Sequence, residues 1–411
     1  MSFESFGFSN PILKALKKNK FTTPTNIQNL VIPQILQGGD IIAKAQTGSG
    51  KTASFVLPIL EKLFHSRTTK KQKIKVLALT PTRELTLQVA QTFSIFSEFF
   101  EEKLKIVTVI GGQSLGDQLL DIQKGCDIVV ATSGRLLEII QKRQIDLRSL
   151  DFFVLDEADK MLNLGFANEL DLILQEIPKK RENLLFSATY PQKVQDIVSK
   201  ITQNGKNISI ESENRAVETI IQRAIFAPKE KRSPLLQKLI RENRYKKVLV
   251  FMANKRASDN IAAKFRKYGF SVESFHGDLD QQERILTLED FKNATIQILF
   301  STDIASRGLH IDDIDCVINF DLPRSADDYI HRIGRTARAG KDGIAISFID
   351  NESLSHFKLI QKRSNTTIQL EIIEGFELAF EEQKKQKGEE PIKGKRKSKK
   401  DKLREAETKT K

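Results

Sequence analysis

Two short segments have the residue types and spacing to hold and cleave a nucleoside triphosphate. Ala45-Gln46-Thr47-Gly48-Ser49-Gly50-Lys51-Thr52 closes the apolar run 41–45 and has phosphate-loop spacing with Ala in its first position. Small residues let backbone N–H groups curl around phosphate, Lys51 reaches the β- and γ-phosphates, and Thr52 offers an oxygen to Mg²⁺. Asp156-Glu157-Ala158-Asp159 follows Phe152–Leu155, a buried-strand pattern. The Asp156 carboxylate would emerge beside the metal, with Glu157 placed to orient or deprotonate an attacking water. Either segment alone has a plainer reading, as a turn before a helix or as an acidic helix start. Their joint occurrence, in this order and at strand ends, points to triphosphate chemistry.

Such residues need a scaffold. At 411 residues the chain exceeds what one core usually organises, and 39% apolar content suffices for two. Runs at 76–79, 106–110, 128–131, 152–155 and 184–186, then at 248–251, 298–300, 316–318 and 344–349, alternate with amphipathic stretches. That alternation predicts two tandem doubly wound α/β domains with parallel sheets. The boundaries read as 1–207 for the first domain, 208–218 for a linker, 219–368 for the second domain and 369–411 for a tail. The tail holds Lys393-Gly394-Lys395-Arg396-Lys397-Ser398-Lys399-Lys400 and has the composition of disordered chain, either merely solvated or an arm for phosphate.

The formal charge of +13 and a pI near 9.4 suggest a polyanionic partner, nucleic acid or an anionic surface. Cys126 and Cys316 each fall in a strand-like run and read as reduced core thiols of a cytoplasmic protein. No Cys/His metal spacing, no signal pattern and no apolar run near the roughly 20 residues a membrane span needs occurs, so no membrane partner is expected.

Chemistry-bearing residues follow strand after strand in the first half: the phosphate loop, Pro81-Thr82-Arg83-Glu84-Leu85, Thr132-Ser133-Gly134-Arg135, the acidic tetrad, and Ser187-Ala188-Thr189. In open parallel sheets the carboxyl ends of the strands form the ligand edge. This order of motifs resembles the DEAD-box family of ATP-dependent RNA helicases from Phe3 to about Ile360. The segment from Phe3 through Phe21 to Gln28 resembles its bacterial RhlE-type branch most.

The resemblance implies two RecA-like domains, ATP and Mg²⁺ as cofactors, and RNA-stimulated hydrolysis coupled to local, non-processive unwinding or ribonucleoprotein remodelling. It places Gln28 on the adenine edge, a pairing an amide can make, with Phe21 and Phe3 against the ring and Asp303 among the nucleotide contacts. Arg335 and Arg338 become arginine fingers that reach the γ-phosphate across the cleft. RNA contacts fall to Pro81, Thr82, Arg83, Gly111, Gly112, Thr132, Gly134 and Arg135, and to Gln281, Arg284, Thr302, Arg307 and Gly308. Asp159, Ser187, Thr189 and His331 would couple the two sites. The implied molecule is a monomer whose partners are RNA, held without sequence readout, and ribosomal or RNA-decay particles. A slow ATP-gated clamp is the alternative, while a DNA translocase is disfavoured by Gln28 and the Asp-Glu-Ala-Asp form.

Three positions depart from the family pattern. Ser133 replaces Pro in T-P-G-R. Ala337 replaces Gly between the finger arginines, which matters if that position needs positive φ. His310 replaces an Asp on the ATP ribose, so a raised KM for ATP, relieved in His310→Asp, is expected.

Overall fold

The computed structural model describes residues 2–45, 49–66, 73–202, 205–209, 220–303, 314–337 and 343–377. Gln46, Thr47, Gly48, Arg307, Gly308, His310, Arg338, residues 210–218 of the expected linker and the basic run 393–400 lie outside the described residues.

Among the described residues two seven-stranded sheets form, in the order β3-β4-β2-β5-β6-β1-β7 and β10-β11-β9-β12-β13-β8-β14. The first holds β1 (Ile41–Lys44), β2 (Val76–Thr80), β3 (Ile106–Val109), β4 (Ile128–Thr132), β5 (Phe152–Leu155), β6 (Glu182–Ser187) and β7 (Lys206–Ser209). The second holds β8 (Ile220–Phe226), β9 (Val248–Phe251), β10 (Val272–Phe275), β11 (Ile298–Ser301), β12 (Cys316–Asn319), β13 (Gly343–Ile349) and β14 (Leu370–Glu371). Every pairing between them is parallel. The period-two pleat explains why the runs are apolar throughout: Val76 and Ala78 enter one core while Leu77 and Leu79 enter the other. Val248 and Val250 are divided from Leu249 and Phe251 in the same way across the second sheet.

The outer strands differ from expectation. Pairing of β7 with β1 carries the first sheet to Ser209, and pairing of β14 with β8 carries the second to Glu371, past the expected boundary at 368. Ile373 and Phe376 then pack on the second core. β7 is largely exposed, β14 is two residues long, and β10 alternates Val-Glu-Ser-Phe, so none presents a continuous apolar run.

Cys126 and Cys316 are buried free thiols, and burial pushes the Cys126 thiol up to about 12. No helix among the described residues is long and apolar enough to cross a membrane.

Candidate functional site

At the carboxyl edge of β1 the chain turns into the helix Lys51–Ser66 through Gly50, whose φ is +93°. A Cβ there would stand 2.6 Å from Gln28 Nε2 and 2.8 Å from Thr25 Oγ1, so this position takes glycine alone. Gln28, 2% exposed, accepts from the Thr25 N–H at 2.9 Å and donates to the Gly50 carbonyl at 3.1 Å. It thereby ties the start of the helix Asn26–Gln37 to the phosphate loop. A primary amide carries two donors and two lone pairs, which leaves one of each for a base edge. Phe21 is 40% exposed and braced edge-on by Phe96 at 5.2 Å. Phe3, expected on the base, is instead 2% exposed in the core, with its ring 6.4 Å behind that of Phe21. It braces Phe21 from within the core.

These residues open on a cavity of about 350 Å³ lined by Phe21, Gln28, Gly50, Lys51, Thr52, Ala53, Leu85, Gln88, Gln91, Thr92, Ile95, Phe96, Asp156, Glu157 and Lys292. A larger cavity of about 900 Å³ opens among Lys73, Cys126, Arg143 and Leu147 and holds none of the expected residues.

At the cavity floor Lys51 Nζ donates to the Ala45 carbonyl at 2.8 Å. Asp156 and Glu157 are buried, and Asp156 Oδ1 accepts from the Glu157 N–H at 2.9 Å. Glu157 adopts the left-handed conformation (φ 53°, ψ 48°), a strained state for a side chain of this size. Lys160 Nζ lies 2.7 Å from Glu157 Oε1. Burial drives the Asp156 pKa upward, and the Glu157 charge adds to this while Lys51 opposes it. Burial also raises Glu157, but Lys160 and Lys51 outweigh it and hold that carboxylate below its ordinary value. A divalent cation would relieve a buried carboxylate in this position. Asp156 with the Thr52 hydroxyl is a hard oxygen set suited to Mg²⁺.

Asp159 Oδ2 accepts from the Thr189 N–H at 3.1 Å and from its hydroxyl at 2.8 Å. Ser187 Oγ accepts from the Asp159 N–H at 3.2 Å and donates to the Thr189 carbonyl at 2.7 Å. The second domain meets this cluster through the helix Ala326–Ile333 and the turn after it. Burial, then Lys160 and Arg335, push His331 down to about 4 against the pull of Asp159, so its imidazole is neutral near pH 7. Arg335 is 3% exposed and near enough to Glu157 to lower its pKa. Asp303 accepts a two-pronged ion pair from Arg332, at 2.6 and 2.8 Å, inside the second domain.

Along the far edge, Thr82 caps the helix Arg83–Phe96 by accepting from the Leu85 N–H at 3.3 Å, beside buried Pro81. The Arg83 guanidinium lies over Gly111 and Gly112, where a Cβ on Gly112 would clash with it, and reaches Gln281 Oε1 at 3.4 Å. Thr132 contacts the Val109 carbonyl at 3.5 Å, Arg135 donates to the Gln113 carbonyl at 3.1 Å, and Gly134 has no atom within 4 Å of a would-be Cβ. Thr302 donates its N–H to the Phe275 carbonyl at 3.4 Å.

Arg284 departs from its expected place on the RNA edge. Its guanidinium pairs with Glu84 at 2.7 Å, donates to the His276 carbonyl at 2.8 Å and lies over the Phe275 ring, 4.6 Å from its centroid. Both partners of this pair are 6% exposed, so the guanidinium is committed to contacts within the protein, of which the Glu84 pair joins the two domains. The sequence gives Glu84 a place at the ligand edge but no role of its own, and it gives Lys160 neither. Glu84 reads as an ordinary acid in a first helical turn, and the only local sign of Lys160 is its i+3 spacing from Glu157.

A family model described as DEAD/DEAH box helicase matches residues 25–197, and one described as Helicase conserved C-terminal domain matches 230–340. "ATP-dependent RNA helicase DeaD" of Buchnera aphidicola subsp. Baizongia pistaciae is 37% identical over 90% of this chain, which spans 60% of that protein's length. "DEAD-box ATP-dependent RNA helicase CshA" of Bacillus subtilis is 35% identical over 88% of this chain and 72% of its own. The solved structure of S. cerevisiae Dbp5 bound to RNA and ADP BeF3 superposes with a TM-score of 0.81 at 28% identity, covering 90% of this chain and 95% of that one. A score of that size over both halves means that the two domains are set against each other much as in that complex. Relatives matched at these identities over nearly the whole chain make it a member of the DEAD-box ATP-dependent RNA helicase family.

Proposed function

We propose that this chain is an RNA-stimulated ATPase that separates short RNA duplexes or remodels ribonucleoproteins locally, without tracking along the strand. One observation carries the reading. Arg335 and His331 of the second domain converge on Glu157, Lys160 and Asp159 of the first, so the centre is complete only when the domains are closed. A strand lying over Arg83, Gly111, Gly112, Thr132, Gly134 and Arg135 and over Gln281 and Thr302 would favour closure by contacting both halves. Linkage then requires bound ATP to tighten RNA binding by the same factor.

Within the cleft, Phe21 and Gln28 hold the adenine, and the loop around Gly50 and Lys51 holds the phosphates. Thr52 and Asp156 would hold Mg²⁺, which supplies charge neutralisation at the terminal phosphates when bound. Glu157 accepts a hydrogen bond from the attacking water, and Arg335 with Arg338 stabilises charge developing on the γ-phosphate. The backbone character of the RNA contacts implies little sequence preference. The amino-terminal segment through Gln28 supports the RhlE-type branch, and a cytoplasmic monomer acting on ribosomal or RNA-decay particles is the setting we favour.

The test is steady-state ATPase with and without RNA, together with duplex release in ATP and in a non-hydrolysable analogue. RNA should accelerate hydrolysis, and Lys51→Ala should abolish it. Equal rates with and without RNA would overturn the coupling, and tight RNA binding with few strands released would favour the slow clamp.

A further inference from the structure

We infer that Lys160 is a positioning residue for hydrolysis, holding the Glu157 carboxylate against the water that attacks the terminal phosphate. Lys160 is 3% exposed and, with Lys51, one of two lysines in the buried core of the described residues. An ammonium out of water is costly unless it is paired. Lys160 Nζ pairs with Glu157 Oε1 at 2.7 Å, with both side chains 4% exposed. Local geometry makes the pair. Glu157 sits in left-handed backbone immediately before the helix Ala158–Asn163, and the Lys160 N–H donates to the Glu157 carbonyl at 3.0 Å, closing a turn that brings the two side chains together.

The surroundings explain why such a clamp matters. Lys51 and Arg335 both lie within electrostatic range of Glu157. A glutamate has three side-chain torsions, and an unclamped carboxylate would swing to either cation and occupy the space the phosphate and water need. Anchoring Oε1 on Lys160 fixes the orientation of the whole carboxylate. In the hydrolytic step a lone pair of the water oxygen forms the new bond to the γ-phosphorus. The bond from that phosphorus to the bridging oxygen breaks with its electron pair passing to ADP, and the water proton passes to Glu157. A carboxylate displaced by about 1 Å loses roughly a hundredfold in such a step.

This inference rests on the ATPase reading above and deepens it. The full chain, saturated with RNA, is assayed for kcat and KM for ATP as wild type, Lys160→Met, Lys160→Arg, Glu157→Gln and Lys160→Met/Glu157→Gln. The expected outcome is a kcat about ten- to a hundredfold lower in Lys160→Met with KM changed less than about threefold, and substantial recovery in Lys160→Arg. In the Glu157→Gln background the loss of Lys160 should add nothing, because the carboxylate it orients is gone.

Three results overturn the inference: an undiminished kcat in Lys160→Met, a KM that rises while kcat holds, or full additivity in the double variant. Should Lys160→Met not fold, Lys160→Gln takes its place in the same comparison. Failure of wild type to respond to RNA would strike the function itself, whereas an RNA-stimulated wild type with indifferent Lys160 variants strikes this inference alone.

Discussion

Ala337 stands in left-handed backbone, with φ of 55°, between the turn bearing Arg335 and the position of Arg338. The methyl group that replaces the family's glycine therefore falls where an L side chain is strained, at a cost of about 1 kcal/mol or more. Ala337→Gly should raise the unfolding free energy of the second domain by about 1 kcal/mol in urea titration, less whatever the added chain entropy of glycine takes back. An unchanged midpoint would mean that the turn tolerates alanine without strain. Gly50 presents the same constraint in its native form. Its positive φ and its approach to Gln28 and Thr25 leave no room for a side chain.

The helix Ser133–Gln141 begins at the ligand edge of β4, and its first residue is Ser133, 1% exposed with a hydroxyl that has no hydrogen-bond partner. The first helical position suits proline, whose missing N–H would go unbonded within the helix anyway. The preceding Thr132 is already extended, with φ of −87° and ψ of 142°, the conformation a following proline demands. Ser133→Pro should therefore stabilise the first domain by roughly 0.5–1 kcal/mol, through a stiffer unfolded chain and removal of a buried unpaired hydroxyl. Thermal unfolding checks this, and a lowered midpoint would show that the backbone here cannot take the ring. The serine thus loosens the turn that presents Thr132 and Gly134 while leaving their edge intact.

Across the whole molecule, the buried pair Glu84–Arg284 is the contact through which closure can be read directly. Removing one partner of a buried ion pair costs about 3–5 kcal/mol because the other is left charged and dry. That penalty applies only where the domains meet. Arg284→Met should therefore leave the first domain's unfolding unchanged and cost the second only its internal bond to the His276 carbonyl, yet weaken closure by more than a hundredfold. Fluorescence transfer between dyes on the two domains, with RNA and a non-hydrolysable ATP analogue, measures it. Closure at wild-type concentrations of both ligands would show that the pair is incidental. Arg332 makes the opposite choice, binding Asp303, Asn319 and the Asp321 carbonyl within one domain, so its role is to hold the second domain's edge in shape.

Strand runs, the phosphate loop and the acidic tetrad were legible in the sequence because their physics is local. A parallel strand buried on both faces is apolar along its length, as 76–79 and Phe152–Leu155 are, and a loop that curls around phosphate must be built of small residues. The edge strands β7 and β14 escaped notice because they bury little and their pairing comes from distant partners. Side-chain commitments lay equally out of reach. Whether Phe3 faces a base or a core, whether Arg284 meets RNA or Glu84, and whether Lys160 is solvated or clamps Glu157 depends on residues as many as 200 positions apart in the chain. Only the packed tertiary structure, by withdrawing these groups from water, obliges each to find its partner.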